Sequence, residues 1–261
     1  MNYQTITIDV DERGIATLTL NRPDKHNAMS SQMMREITAT AAALDQDHQV
    51  RGVVITGAGK SFCAGADLGW MRENFERSRE ERIAESEILA DMLQALDRLN
   101  KPLIAKVNGQ AYAGGIGLIS VCDIAIGIPE ARFSVTEVRL GLTPANISPY
   151  LIGRIGVRNA RRTFLNAHFF SGEEAATLGL LDKVVAADQL DDAIAVEIKE
   201  LLDCAPEAVA MTKELIRHVS TRTPDQIRDH TSALLADCWE GEEAQSGIKA
   251  FFDKQPAPWK V

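Results

Sequence analysis

Glu137 is a carboxylate set among apolar neighbours, in the run Phe133-Ser134-Val135-Thr136-Glu137-Val138-Arg139-Leu140-Gly141-Leu142-Thr143-Pro144. Alone, such a glutamate reads as a surface charge at a strand end. Partial burial would raise its pKa toward the operating pH, as a general acid/base requires. The pair Gly114-Gly115 precedes an apolar run, Ile116 to Val121, that reads as a helix starting there. Two glycines allow close approach of backbone to ligand, and the helix start adds its positive end; standing alone they read first as a tight turn.

Other signatures fail on inspection. Gly57-Ala58-Gly59-Lys60-Ser61 imitates a phosphate loop, but the glycine required five positions before the Gly-Lys pair is Val54. There is no GxGxxG fingerprint and no nucleophile elbow, which removes the main supports for nucleotide-fold redox chemistry and serine hydrolysis. His26, His48, His168, His218 and His230 show no metal-ligand spacing, so no metal is expected. Cys63, Cys122, Cys204 and Cys238 form no CxxC pair and read as reduced thiols of a cytosolic chain.

These residues must be positioned by an alternation of strands and helices. Gln4 to Val10 and Gly14 to Leu20 alternate around an Asp-Glu-Arg-Gly turn, which predicts an antiparallel hairpin. Ser31 to Asp45 carries the apolar spacing of an amphipathic helix, and Val53 to Thr56 is a β-branched run ending in glycine. A charged helix is expected over Glu80 to Leu99, then buried strands at Leu103 to Val107 and Asp123 to Ile128 on either side of the glycine-rich stretch. From about Leu190 the pattern turns helical: Asp191 to Leu202, Pro206 to Val219, Pro224 to Trp239 and Glu242 to Phe252. An α/β fold with right-handed crossovers follows; periodicity does not separate an open doubly wound sheet from a spiral of stacked turns.

With 261 residues and 45% hydrophobic content, the chain can bury a sizeable core in one large domain, or one domain with an appendage. A formal net charge of -9 argues against general attraction to nucleic acid or anionic membranes. The N-terminal segment alternates like a strand and lacks the order of a signal peptide, and no apolar run approaches spanning length. The expectation is a cytoplasmic protein.

Four segments decide more when taken in order: Asn21-Arg22-Pro23-Asp24-Lys25-His26-Asn27-Ala28; Ser61-Phe62-Cys63-Ala64-Gly65-Ala66-Asp67-Leu68; Val107-Asn108-Gly109 with Gly114-Gly115; and Cys122-Asp123 with Phe133 and Glu137 to Pro144. Together they resemble the enoyl-CoA hydratase/isomerase (crotonase) family, and the resemblance covers nearly the whole chain. It implies an α/β spiral of ββα turns over residues 1–190, holding the CoA and active site. Residues 191–261 would be a helical C-terminal region for trimerisation, with trimers pairing into a hexamer. The apolar face of Ala208, Met211, Leu215, Ile216 and Val219 is expected to be partly interface. The implied substrate is an acyl-CoA, with coenzyme A part of the substrate and no separate cofactor.

By the same resemblance, the backbone N–H groups of Ala66 and Gly114 form an oxyanion hole for an enolate, and Glu137 is the principal acid/base group. Preorganised backbone donors suit that task because they carry no competing charge. Lys25 and Ala28 match positions lining the CoA adenine and pantetheine site, and Ala64, Asp67, Leu68 and Gly117 match further substrate contacts. Lys254 matches a C-terminal lysine that reaches the CoA phosphates, often across a subunit interface.

The chain departs from the family at Gly117, where two-glutamate hydratases carry their first carboxylate. This admits the family's isomerases, which move a proton between the α and γ carbons, and is expected to leave space at that position. The stretch Glu137 to Tyr150, followed by Ala160-Arg161-Arg162, resembles bacterial hydratases of 3-methylglutaconyl-CoA and isohexenylglutaconyl-CoA. The expectation is therefore a hydratase of a branched or acidic enoyl-CoA working with one glutamate, with an isomerase as the alternative. A non-catalytic or RNA-binding member would lack Glu137 or show a basic face, and the sequence shows neither.

Overall fold

The computed structural model describes residues 3–260. Strands β1 (Ile6–Val10) and β2 (Ile15–Leu20) pair antiparallel with Ile6 opposite Leu20. Their turn is held by the Asp11 carboxylate, which accepts from the N–H groups of Arg13 and Ile15 at 2.9 Å each. Helix α1 (Ser31–Gln46) starts where the Ser30 hydroxyl accepts from the Met33 N–H, and it buries Met33, Met34, Ile37, Ala41 and Leu44.

Three short strands then alternate with longer ones. β3 (Gly52–Gly57) leads to β4 (Ser61–Cys63), followed by α2 (Leu68–Glu76) and α3 (Arg79–Asp97), which opens on a Ser78/Glu81 capping box. β5 (Leu103–Val107) leads to β6 (Gln110–Tyr112) and α4 (Gly114–Ser120). β7 (Ile124–Gly127) leads to β8 (Phe133–Ser134), a 3-10 turn over Glu137–Leu140, and α5 (Ser148–Phe164), which is kinked at Gly156. Then come α6 (Gly172–Leu178), β9 (Lys183–Val184), α7 (Leu190–Leu202), α8 (Pro206–Val219), α9 (Pro224–Glu240) and α10 (Glu242–Phe252).

The large sheet runs β1-β2-β3-β5-β7-β9 and is parallel from β2 onward, while β4-β6-β8 form a second parallel sheet. The turns that begin at β3, β5 and β7 each give one strand to each sheet before their helices, so the chain is a spiral of ββα turns and not an open doubly wound sheet.

Both faces of the large sheet are covered, which explains why its strands read as continuous apolar runs. Val53 and Ile55, Leu103 and Ala105, and Ala125 point into the main core with α1, α3 and α4. Their alternates Ile15, Val54, Ile104 and Ile126 meet Leu190, Ala193, Ile194, Ile198 and Leu202 of α7 on the opposite face. At ~1.5–3 kcal/mol for each fully buried aliphatic side chain, α7 is a structural part of the sheet. Besides α2, which buries no residue, the last three helices keep open faces: α8 buries only Lys213, α9 buries nothing and α10 only Ala250. Lys213 ties α8 to the core through Asp123 (2.6 Å) and the Lys101 carbonyl (3.1 Å). Cys63 and Cys122 lie in the core, where burial pushes both thiols up to about 12. No helix among the described residues is long and apolar enough to cross a membrane.

Candidate active site

Two loops bring backbone donors to one cavity. In the first, the Met29 N–H donates to Gly65 O (2.7 Å) and the Asp67 N–H to Met29 O (2.9 Å), a one-residue parallel bridge that leaves the Ala66 N–H out of the pairing. Gly65 has φ 90°, and a Cβ there would stand 2.9 Å from Tyr112 O, so the loop needs glycine at that point. In the second, Gly114 is the first residue of α4, where an N–H has no acceptor within its own helix. Ala113 before it adopts φ 48°, ψ -117°, a conformation costing a non-glycine residue ~1–3 kcal/mol. It is held there by its N–H on Ser134 O (3.0 Å) and by its carbonyl, which accepts from Ile116 (2.9 Å) and Gly117 (3.2 Å). Gly115 lets α4 abut β4, since a Cβ would lie 2.3 Å from Cys63 O.

Glu137 faces the same cavity from the 3-10 turn. Leu142 N–H closes the turn on Glu137 O (3.1 Å), and Arg139 anchors it to the Ala167 carbonyl (2.7 Å) while stacking over Phe169. The cavity encloses about 460 Å3, and its wall is mostly apolar: Met29, Met34, Ala64, Ala66, Leu68, Trp70, Met71, Leu89, Leu140, Leu142, Pro144 and Ile147 among others. Ser86, Thr136, Thr143 and Asn146 are its polar side chains, and among the described residues Glu137 is its sole charged one. The Glu137 Oε2 atom is buried with no hydrogen-bond partner among the described residues. Burial pushes the Glu137 carboxyl above the usual carboxylate range, offset only in part by its own backbone N–H. A carboxylate with a raised pKa and an unengaged oxygen shares the lining of this apolar cavity with two residues whose backbone N–H groups make no hydrogen bond among the described residues. Such a set can exchange a proton with a carbon acid whose oxygen the donors hold.

A family model described as "Enoyl-CoA hydratase/isomerase" matches residues 11–261. The chain is an enzyme of the enoyl-CoA hydratase/isomerase (crotonase) family. The short-chain-enoyl-CoA hydratase of Clostridium acetobutylicum is 32% identical over 247 residues, covering 94% of this chain and 93% of that protein. The solved structure of Pseudomonas aeruginosa AtuE superposes with a TM-score of 0.96 at 34% identity, covering 99% of this chain and all of that one. An enoyl-CoA hydratase from Shewanella pealeana superposes with a TM-score of 0.94 at 35% identity, covering 98% of this chain and 96% of that one.

Of the positions named through the crotonase resemblance, Ala64, Ala66, Leu68, Gly114 and Glu137 line this one cavity. Leu68, 80% exposed, stands at its mouth. Asp67 does not line it. Its carboxylate caps α2 by accepting from Gly69 (2.7 Å) and Trp70 (3.2 Å) and pairs with Arg22 at 2.8 Å. Burial pushes its pKa up, but Arg22 and the two N–H groups outweigh that and hold it below the ordinary range. Its part is to shape the loop that presents Ala66. Exposed Lys25 and buried Ala28 stand outside the lining, as does exposed Lys254, just after α10.

Gly117 requires a correction. The space expected at this position is filled: a Cβ there would come 2.5 Å from Ile147 Cγ2 and 3.2 Å from Ile147 Cβ. Glycine here serves the packing of α4 against the start of α5 and opens no vacancy. Gly117→Ala is therefore expected to destabilise the protein by ~1–3 kcal/mol in urea titrations, with Ile147→Ala in the same chain recovering part of the loss. A single variant as stable as the parent would show that the contact is loose.

Trp70, Ser86, Asn146 and Ile147 are among the wall residues that the sequence reading did not assign to the site. Trp70 is fixed by its indole N–H on Glu85 Oε2 (2.7 Å), an oxygen that also accepts from Ser31 Oγ (2.6 Å), so α1, α2 and α3 meet on one carboxylate. The apolar spacing of Leu68, Trp70, Met71 and Phe75 was the available signal for α2. Ser86 and Asn146 are joined across sixty positions by the Asn146 side chain. Ile147 joins them through its contact with Gly117.

Proposed function

We propose that this family member is an enoyl-CoA hydratase that adds water across the 2,3 double bond of a branched or acidic enoyl-CoA, such as 3-methylglutaconyl-CoA or isohexenylglutaconyl-CoA. The observation that carries the reading is the unpartnered Glu137 Oε2 in a cavity that Ala66 and Gly114 also line. The donors hold the thioester oxygen as it gains charge. Glu137 takes a proton from water as its oxygen attacks the β carbon, then returns that proton to the α carbon of the enolate. One carboxylate serves both steps, so both groups add to the same face.

The wall favours the branched half of this description. It is mostly apolar and among the described residues carries no cationic side chain, so the terminal carboxylate of a glutaconyl chain has to lie beyond it. Such substrates arise in leucine and acyclic terpene breakdown, and a cytoplasmic setting fits both. Isomerisation is the second reading, favoured by Ile147 filling the place of a second water-holding carboxylate. Turnover of crotonyl-CoA, 3-methylglutaconyl-CoA and a 3-enoyl-CoA separates the two: hydration of a 2-enoyl-CoA supports the first reading, and faster movement of the 3-enoyl double bond replaces it.

Assembly into a trimer or hexamer belongs to the same proposal. Ile216, Leu235, Trp239, Phe251 and Phe252 on α8 to α10 are 61–78% exposed, an apolar surface suited to neighbouring copies. Lys254 sits beside it and would reach the CoA phosphates from there, with Lys25 at the adenine end. Light scattering at micromolar concentration is expected to give three or six times the 28.5 kDa chain mass; the chain mass alone would rule assembly out.

A further inference from the structure

The attacking water has two protons and Glu137 takes one. The other stays on the oxygen through the reaction and becomes the hydroxyl proton of the product. In a cavity with apolar walls an unpaired O–H is costly, so hydration needs a second acceptor beside the water. The place a second carboxylate would occupy is closed by Ile147. The polar side chains left on the wall are Ser86, Thr136, Thr143 and Asn146.

Asn146 differs from the others in being oriented. Its Nδ2 donates to the Ser86 carbonyl (3.1 Å) and to Ser86 Oγ (2.8 Å). A backbone carbonyl can only accept, which fixes which end of the amide faces Ser86 and leaves Oδ1 as a pure acceptor. No hydrogen bond from a described residue ends on that oxygen. The threonine hydroxyls rotate and can donate or accept, so neither is a committed acceptor. Asn146 also immediately precedes Ile147, at the edge of the closed position.

We propose that Asn146 is the second ligand of the attacking water, its Oδ1 accepting the proton that Glu137 does not take, with Ser86 as the residue that orients the amide. The inference rests on the hydratase reading. In the balanced step, water loses one proton to Glu137 and its oxygen bonds to the β carbon. The Cα=Cβ pair becomes the enolate Cα=C1 bond as the carbonyl pair moves to the thioester oxygen held by Ala66 and Gly114; Glu137 then protonates the α carbon and the carbonyl re-forms. The remaining proton stays on the new hydroxyl, bonded to Asn146.

The test separates water chemistry from proton chemistry. Exchange of the α protons of butyryl-CoA in deuterium oxide needs Glu137 and the two donors but no attacking water. Asn146→Leu, of similar size with neither donor nor acceptor, is expected to lower kcat for hydration about tenfold, the effect of one lost hydrogen bond, while exchange stays within about twofold. Asn146→Ala is the second variant should leucine disturb folding, and retained exchange is the check on both. Hydration at the parental rate, or hydration and exchange falling together, would overturn the inference and leave the hydratase reading standing. A parent enzyme that hydrates no 2-enoyl-CoA yet moves 3-enoyl bonds would overturn both.

Discussion

Glu137→Gln is expected to lower turnover by roughly 100-fold to 10,000-fold, the range contributed by a positioned acid/base group, with KM for the CoA ester little changed. Glutamine keeps the shape of the side chain and removes the base. The parent's kcat/KM should rise with pH through the Glu137 pKa, in a limb displaced above the ordinary carboxylate value of 4.5 because burial disfavours the anion. The variant should lack this limb. The same burial has a signed effect on stability. A carboxyl whose folded pKa lies above its unfolded one binds its proton more tightly in the folded state. Its stabilising contribution is complete below the unfolded pKa and is lost as pH rises through the folded value. Glu137→Gln should therefore melt higher than the parent at neutral pH, and that advantage should vanish in acid. Near-parental turnover, or a melting difference that grows as pH falls, would mean that the carboxyl has another role or another environment.

Removing either backbone donor is expected to cost about 100-fold to 1,000-fold in kcat, again with modest change in CoA affinity. Gly114→Pro is the more informative case. Gly114 is the first residue of α4, a position where proline is tolerated because its N–H has no helical partner. The new Cβ would meet the Met29 Cε atom at 2.4 Å, the far end of a flexible side chain that can move. Ala66→Pro removes the other donor and risks the Met29 bridge, so circular dichroism and a melting curve must accompany it. A folded Gly114→Pro enzyme with near-parental turnover would show that this N–H is not a ligand of the enolate oxygen.

Much of the scaffold was legible in the residues. α8 and α10 begin and end where the sequence places them, because a proline in the first turn or an acidic start marks one end and the apolar period marks the rest. The hairpin, α1, α3 and the buried run of β5 follow from patterns contained within single segments. Glu137 and the two donor loops could be singled out because four motifs recur in one order, although no one of them carries enough information alone. The strands β4, β6 and β8 have three, three and two residues, too few for any period to register, and pairing with one another is what makes them strands. Contacts between distant segments were out of reach for a related reason. Ile147 against Gly117 and Asn146 against Ser86 depend on how α3, α4 and α5 pack, and no local pattern encodes that. The family resemblance of four ordered motifs therefore pointed to the group proposed to move the proton and the donors proposed to hold the oxygen. Tertiary packing decided what surrounds them: it closed the position at Gly117, left Glu137 Oε2 without a partner, and set an oriented amide on the wall. Periodicity reports which face of an element is buried, whereas the shape of a cavity depends on which buried faces meet.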